Sequence, residues 1–136
     1  MNLLLVSATP FEIAPIKNYL KENFTKKSEG VFEKNNLEIS ILITGVGIPF
    51  TSLHLGRIFA QRQYDLALNA GIAGAFNREL KIGDVVNVIS ERFGDLGVEE
   101  ADGQFTDMHE LGLIEGNEFP FENGELLNEN SLSLNE

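Results

Sequence analysis

Short apolar runs alternate with amphipathic stretches and turn residues through the first two thirds of the chain. Leu3 to Val6 is a run of the kind a buried strand requires, and helix-start chemistry follows at once. Thr9-Pro10-Phe11-Glu12 reads as an N-cap, a proline in the first helical position and an acid three residues after the cap. The spacing predicts a helix to about Lys21, with Ile13, Ile16 and Leu20 on one side and Lys17 and Lys21 facing water. Val31 to Lys34 and Leu37 to Thr44 read as two strands around the turn Asn35-Asn36, a hairpin. A second helix is predicted from near Pro49, with Phe50, Leu53, Leu55, Ile58 and Phe59 as a broad apolar face, ending before Tyr64. Leu66 to Asn69 and Val85 to Ser90 complete the predicted strands. Beyond Glu91 the periodicity fades: Asp107 to Ile114 reads as a short helix, and Gly116 to Glu136 offers little that could form a core. Strand, helix, hairpin, helix, strand is an α/β order, most simply a largely parallel or mixed sheet covered by helices.

Composition changes this picture at one point. The net charge of −11 is confined to the end of the chain: residues 1–98 carry ten acidic and ten basic side chains, residues 99–136 eleven acidic and none basic. The tail reads as a solvated acidic segment and argues against a nucleic-acid partner, because phosphate neutralisation needs the Lys and Arg it lacks. With 136 residues and 43% apolar side chains, the chain has the length of one domain with one modest core. No run approaches a membrane span, and MNLLLVSATPFE lacks the pattern of a signal peptide, so a cytoplasmic protein without a membrane partner is expected. There is no cysteine, hence no disulfide or thiolate chemistry. His54 and His109 stand in no ligand spacing, so no metal site is expected.

Candidate chemistry falls where predicted strands give way to helices or loops, the place at which open α/β sheets bind ligands. Glu12 is either half of a capping box with Thr9 or a carboxylate at the mouth of the sheet, able to orient a water and accept its proton; one residue can be both. Gly45-Val46-Gly47 resembles the start of a dinucleotide fingerprint, but Phe50 occupies the third glycine's position. It remains either a tight turn or a helix start whose N–H groups meet a sugar hydroxyl or an anion. NAGIAGAF, residues 69–76, removes the side chains behind a good strand, which suits close packing or close approach of a ligand.

Taken in order, LLLVSATPFEIAPI, TGVG with its following helix, LALNAGIAGAF and LKIGDVV resemble the N-terminal half of the nucleoside phosphorylase and nucleosidase superfamily over residues 1 to about 98. Within it, VISERFGDLGVEEADG followed by ELGLIEGNEFPFENG is similar to the futalosine hydrolases. The resemblance implies a three-layer α/β/α fold with a mixed central sheet, here incomplete at the C-terminus. Residues 1–98 would form the N-terminal part of a single domain, and residues 99–136 its acidic, loop-rich and truncated continuation. A dimer or larger homo-oligomer that cleaves the N-glycosidic bond of a purine nucleoside is implied, without cofactor or metal. For the futalosine hydrolases the reaction is release of hypoxanthine from futalosine on the bacterial route to menaquinone. The alternatives are a methylthioadenosine or adenosylhomocysteine nucleosidase and a noncatalytic nucleotide-binding module.

By the same resemblance Glu12 activates the attacking water, Ala73 and Gly74 lie against the nucleoside, and Val46 and Gly47 lie near the ribose. Phe93 and Val98 are candidates for the 5′ side of the pocket, although such residues beside a strand are more often core. Phosphorylases of the superfamily bind phosphate with arginines in the loop after the first strand and just ahead of the small-residue loop. Here those places hold SATPFE and Asn69, so water suits the site better than phosphate. Where nucleosidases often carry Ser or Thr this chain has Ile72, which suggests apolar packing in place of a polar contact. The purine-side acid and the residue that binds the ribose hydroxyls are expected beyond residue 136.

Overall fold

The computed structural model describes residues 1–128, and the chain divides into two compact units, Met1–Phe76 and Asn77–Glu136. The compositional change at residue 98 therefore falls inside the second unit. Among the described residues no helix is long and apolar enough to cross a membrane.

The first unit is an α/β structure of five strands and two helices: β1 (Asn2–Ser7), α1 (Ala14–Asn23), β2 (Thr25–Ser28), β3 (Val31–Lys34), β4 (Leu37–Ile43), α2 (Ile48–Gln61) and β5 (Leu66–Asn69). The sheet is mixed, in the order β2-β3-β4-β1-β5. β1 pairs in parallel with β4 on one side, Leu4 opposite Ser40, and with β5 on the other, Leu4 opposite Ala67. Being central and flanked twice, β1 buries four consecutive residues, Leu4 to Ser7, on both faces, as a continuous apolar run predicts. β3 and β4 form the expected hairpin. Asn35 and Asn36 both take positive φ, 50° and 64°, the pair of values that a two-residue turn matching strand twist demands.

Ile13, Leu20 and Phe32 join Leu4, Leu5 and Val6 in the core, with α1 packed over β2 and β3. Ile16, expected beside them, is exposed. Phe32 is only 1% exposed, so Phe32→Ala should lower stability by about 3–5 kcal/mol, read as a shift of the urea unfolding midpoint.

Two features of this unit differ from expectation. Helix α1 begins at Ala14, with Ile13 as a cap that offers no side-chain bond, instead of at Pro10. The reason is Pro15. A helix begun at Pro10 would place that proline in its interior, where it lacks the N–H and its ring meets the carbonyl four residues back; begun at Ala14, the helix holds it in the first turn. Residues 8–13 are consequently a loop. β2 was not foreseen, since TKKS has no apolar alternation; it is a fully exposed edge strand whose lysines suit an unpaired border. Helix α2 starts and stops as expected, but no residue of it is buried: Leu55 and Ile58 are half-buried, and Phe50, Leu53 and Phe59 are exposed.

Among its described residues the second unit contains two small antiparallel pairs, β6 (Ser90–Glu91) with β9 (Leu126–Leu127) and β7 (Gly97–Glu99) with β8 (Phe105–Asp107). Of the predicted strand Val85–Ser90 only its last residue pairs as a strand among the described residues: the ladder with β9 ends at Ser90 opposite Leu127, and before it the Ile89 carbonyl accepts the Asn128 N–H at 2.9 Å and the Val88 carbonyl the Asn128 side-chain amide at 3.0 Å. The predicted helix Asp107–Ile114 is instead the end of β8 and a turn. One bond from the Leu111 N–H to the Asp107 carbonyl closes a helical turn, which Gly112 at φ 68° does not extend. A small core absent from the sequence reading forms around Phe121 and Met108, both 7% exposed.

Candidate active site

The carboxyl ends of β4, β1 and β5 lie side by side at one edge of the first unit's sheet. From β1 the chain crosses toward β4, and from β4 it crosses to the opposite side, to β5; adjacent strand ends at such a change of direction form a natural crevice. Their loops are pinned before they diverge. The Thr44 N–H donates to the Ser7 carbonyl at 3.0 Å, Gly45 N–H to Ala8 at 3.0 Å, and Ala70 N–H to Val6 at 2.8 Å.

Glu12 stands in the loop that follows β1. Its Oε2 accepts the Thr9 N–H at 2.7 Å, the Thr9 hydroxyl at 2.8 Å and the Ser7 hydroxyl at 3.3 Å. Its Oε1 accepts the Ile72 N–H, from the loop beyond β5, at 3.3 Å. The capping-box bond to Thr9 thus forms, but it closes a loop and caps no helix. The Thr9 hydroxyl is the chief cause that holds the carboxyl below the ordinary glutamate range, followed by the N–H groups of Ile72 and Thr9; partial burial opposes them and Ser7 adds to them. Glu12 is therefore an anion through the neutral range.

Gly71 explains the bareness of the loop beyond β5. A Cβ built there would lie 2.9 Å from Glu12 Oε1 and 3.6 Å from its Cδ, while the backbone of Gly71 is outside the left-handed region. Glycine is needed at this position for room, and the group that needs the room is the carboxylate. The Ile72 side chain is exposed, so its contribution is the backbone N–H, in place of the apolar packing expected of it.

Val46 and Gly47 lie in the loop after β4, Val46 exposed and Gly47 at φ 110° as the cap of α2. Beneath them Thr44 is buried and its hydroxyl meets that of Thr51 at 3.2 Å. Ala73 and Gly74 lie exposed in the loop after β5. The structure thus gathers Glu12, Val46, Gly47, Ala73 and Gly74 on three neighbouring strand ends. Phe93 and Val98 belong to the second unit. Phe93 packs edge-on against Phe121, ring centroids 6.2 Å apart, and Val98 pairs with Thr106 across β7 and β8.

The sequence reading missed Ser7, the Thr9 hydroxyl and the Ile72 N–H as partners of Glu12. Ser7 left a trace as a small hydroxyl residue closing an apolar run; a backbone N–H leaves none. A shallow hollow lies at the other end of the sheet, among Asn2, Phe59, Arg62, Gln63, Tyr64 and Asp65. Its charges are already engaged: Arg62 bridges Glu38 and Asn2, and Asp65 accepts the Asn2 N–H. It offers less for catalysis than the unneutralised Glu12. Among the described residues no group of His, Cys, Asp or Glu could hold a metal ion.

A family model described as "Phosphorylase superfamily" matches residues 2–115. The chain is 28% identical to the aminodeoxyfutalosine nucleosidase of Campylobacter jejuni subsp. jejuni serotype O:2, over 98% of this chain and 58% of that protein. It is 25% identical to the 5′-methylthioadenosine/S-adenosylhomocysteine nucleosidase of Hydrogenovibrio crunogenus, over 63% of this chain and 39% of that protein. The chain spans little more than half the length of the first relative. No solved structure matches it significantly.

Proposed function

Because the chain belongs to the phosphorylase superfamily, we propose that its first unit supplies the water-activating side of a purine nucleoside N-glycosyl hydrolase, with Glu12 as the carboxylate beneath the sugar. The observation that carries this reading is the anionic Glu12 held by donors from β1's loop and from the loop beyond β5, at the edge where three strands end. Cleavage of the N-glycosidic bond builds positive charge on the ribose. An anion fixed below it stabilises that charge, and the same carboxylate orients the attacking water and takes its proton. Val46 and Gly47 border the ribose in this reading, and Ala73 and Gly74 the nucleoside face. The departing purine needs a second acid; among the described residues of the first unit, Glu12 is the only carboxylate at these strand ends.

Futalosine or a close analogue is the proposed substrate, and menaquinone biosynthesis the proposed setting; the tail motifs and the relative named aminodeoxyfutalosine nucleosidase support this reading. The relative named for methylthioadenosine and adenosylhomocysteine supports the second reading. Water is the proposed nucleophile, since the loops at Glu12 present no arginine to phosphate.

The test is to incubate full-length protein with futalosine and, separately, methylthioadenosine in phosphate-free buffer and to follow the free base by chromatography. Hypoxanthine from futalosine is expected, at a rate that added phosphate does not change. Adenine from methylthioadenosine alone would favour the second reading. A phosphate requirement would make the enzyme a phosphorylase, and binding without base release would leave a noncatalytic module.

A further inference from the structure

We propose that Thr9 is a positioning residue that divides the labour of the Glu12 carboxylate, holding Oε2 with its N–H and hydroxyl so that Oε1 is the oxygen offered to the attacking water. The inference rests on the reading of Glu12 as the water-activating group.

The two carboxylate oxygens differ sharply in what they already accept. Oε2 receives three donors, at 2.7, 2.8 and 3.3 Å, whereas a carboxylate offers about four acceptor sites over both oxygens, so Oε2 is saturated. Oε1 receives only the long 3.3 Å bond from the Ile72 N–H and keeps a free lone pair. The donors on Oε2 are not equivalent either. The Ser7 hydroxyl has a single hydrogen and also meets the Thr9 carbonyl at 3.2 Å, so its donation is divided. The Thr9 hydroxyl has Glu12 as its partner at 2.8 Å. Its N–H persists in any variant except proline; the hydroxyl is the part of the clamp that a side-chain change removes. That hydroxyl is also the largest cause of the low Glu12 titration.

Thr9→Val keeps the shape and removes the hydroxyl; Thr9→Ser keeps the hydroxyl and removes the methyl. Two readouts are taken on full-length protein. One is the Glu12 carboxyl titration by 13C NMR, with Glu12→Gln used for assignment. The other is the pH profile of base release from futalosine. In Thr9→Val the Glu12 midpoint should move up toward the ordinary glutamate range, the acid limb of the rate profile should move up with it, and kcat should fall about tenfold with KM little changed. Thr9→Ser should restore all three. If Thr9→Val fails to fold, Thr9→Ala and Thr9→Ser form the same comparison.

The inference is overturned if the hydroxyl-free variant titrates and turns over as the wild type does, or if serine does not rescue it. The two levels of the argument separate cleanly. An inactive Glu12→Gln beside a wild-type-like Thr9→Val removes Thr9 alone, whereas an undiminished rate in Glu12→Gln removes the catalytic reading and the role of Thr9 with it.

Discussion

Replacing Glu12 by glutamine is expected to slow base release about a thousandfold while leaving the fold intact. The amide has nearly the same shape. Its oxygen can take the Oε2 position and accept the Thr9 N–H, the Thr9 hydroxyl and the Ser7 hydroxyl, which are the donors that anchor the loop. What disappears is the negative charge and the lone pair of Oε1, and the amide NH2 put in its place confronts the Ile72 N–H donor to donor. Both contributions proposed for Glu12, stabilising charge on the ribose and taking the proton of water, are lost together.

The pH profile carries the sign of the effect. Glu12 titrates below the ordinary glutamate range in the fold, so the wild-type rate should hold through neutral pH and fall only as pH drops through that lowered value. The stability this group contributes follows the same direction, present above its unfolded titration and lost as pH falls through the folded one. The glutamine variant should show no acid limb from this group. Rates by chromatography and the fold by circular dichroism check the expectation. A variant with the wild-type rate would leave Glu12 as the closure of a turn.

Gly71→Ala should produce a different kind of failure, a loss of about a hundredfold in kcat with little change in thermal stability. The added Cβ falls 2.9 Å from Glu12 Oε1, closer than such atoms tolerate. Relief is cheap for the fold, because the obstructed atom is the end of a flexible side chain and the Gly71 backbone is one that alanine can adopt. It is costly for the chemistry, because the carboxylate must swing off the Ile72 N–H, and a displacement on the order of 1 Å is worth about two orders of magnitude in rate. A matched pair of measurements, kcat and melting temperature, separates this from a folding defect; equal loss of both would show that Gly71 is a packing position.

These two residues also show how far the chain could be read without coordinates. The small-residue stretch announced that something comes close, and Thr9-x-x-Glu12 announced a bond from a carboxylate to a backbone N–H. That the two signals concern the same atoms was hidden, because the joining group, the Ile72 N–H, is common to every residue but proline. β1, the hairpin at Asn35-Asn36 and the extent of α2 were legible, since each rests on local pattern: an apolar run, a turn that tolerates positive φ, a glycine and proline at a helix start. The beginning of α1 was misread because Pro15 outranks the capping signal at Thr9, and the loop so created is what leaves the Glu12 side chain free to reach Ser7 and Ile72. Val85 to Ile89 has the composition of a strand, but a strand is defined by its neighbour, and among the described residues the ladder with β9 ends at Leu127. Phe121 follows Phe119-Pro120 and Met108 stands between Asp107 and His109, with no helical or strand period linking them, so nothing in the sequence marked them as a core.

The place of β1 in the sheet sets the order in which this site comes into being. β1 and Glu12 leave the ribosome well before the two strands that flank β1, with Asn2 waiting for Glu38 and Leu3 for Leu66. The donor to Oε1 lies 60 residues downstream of the carboxylate it meets. A nascent chain that has exposed everything through α2 therefore already carries the hydroxyl side of the clamp and none of its far side. Contacts of such long sequence separation form late and slowly, after the loops between them have been closed. Glu12 is thus synthesised long before the surroundings that complete it.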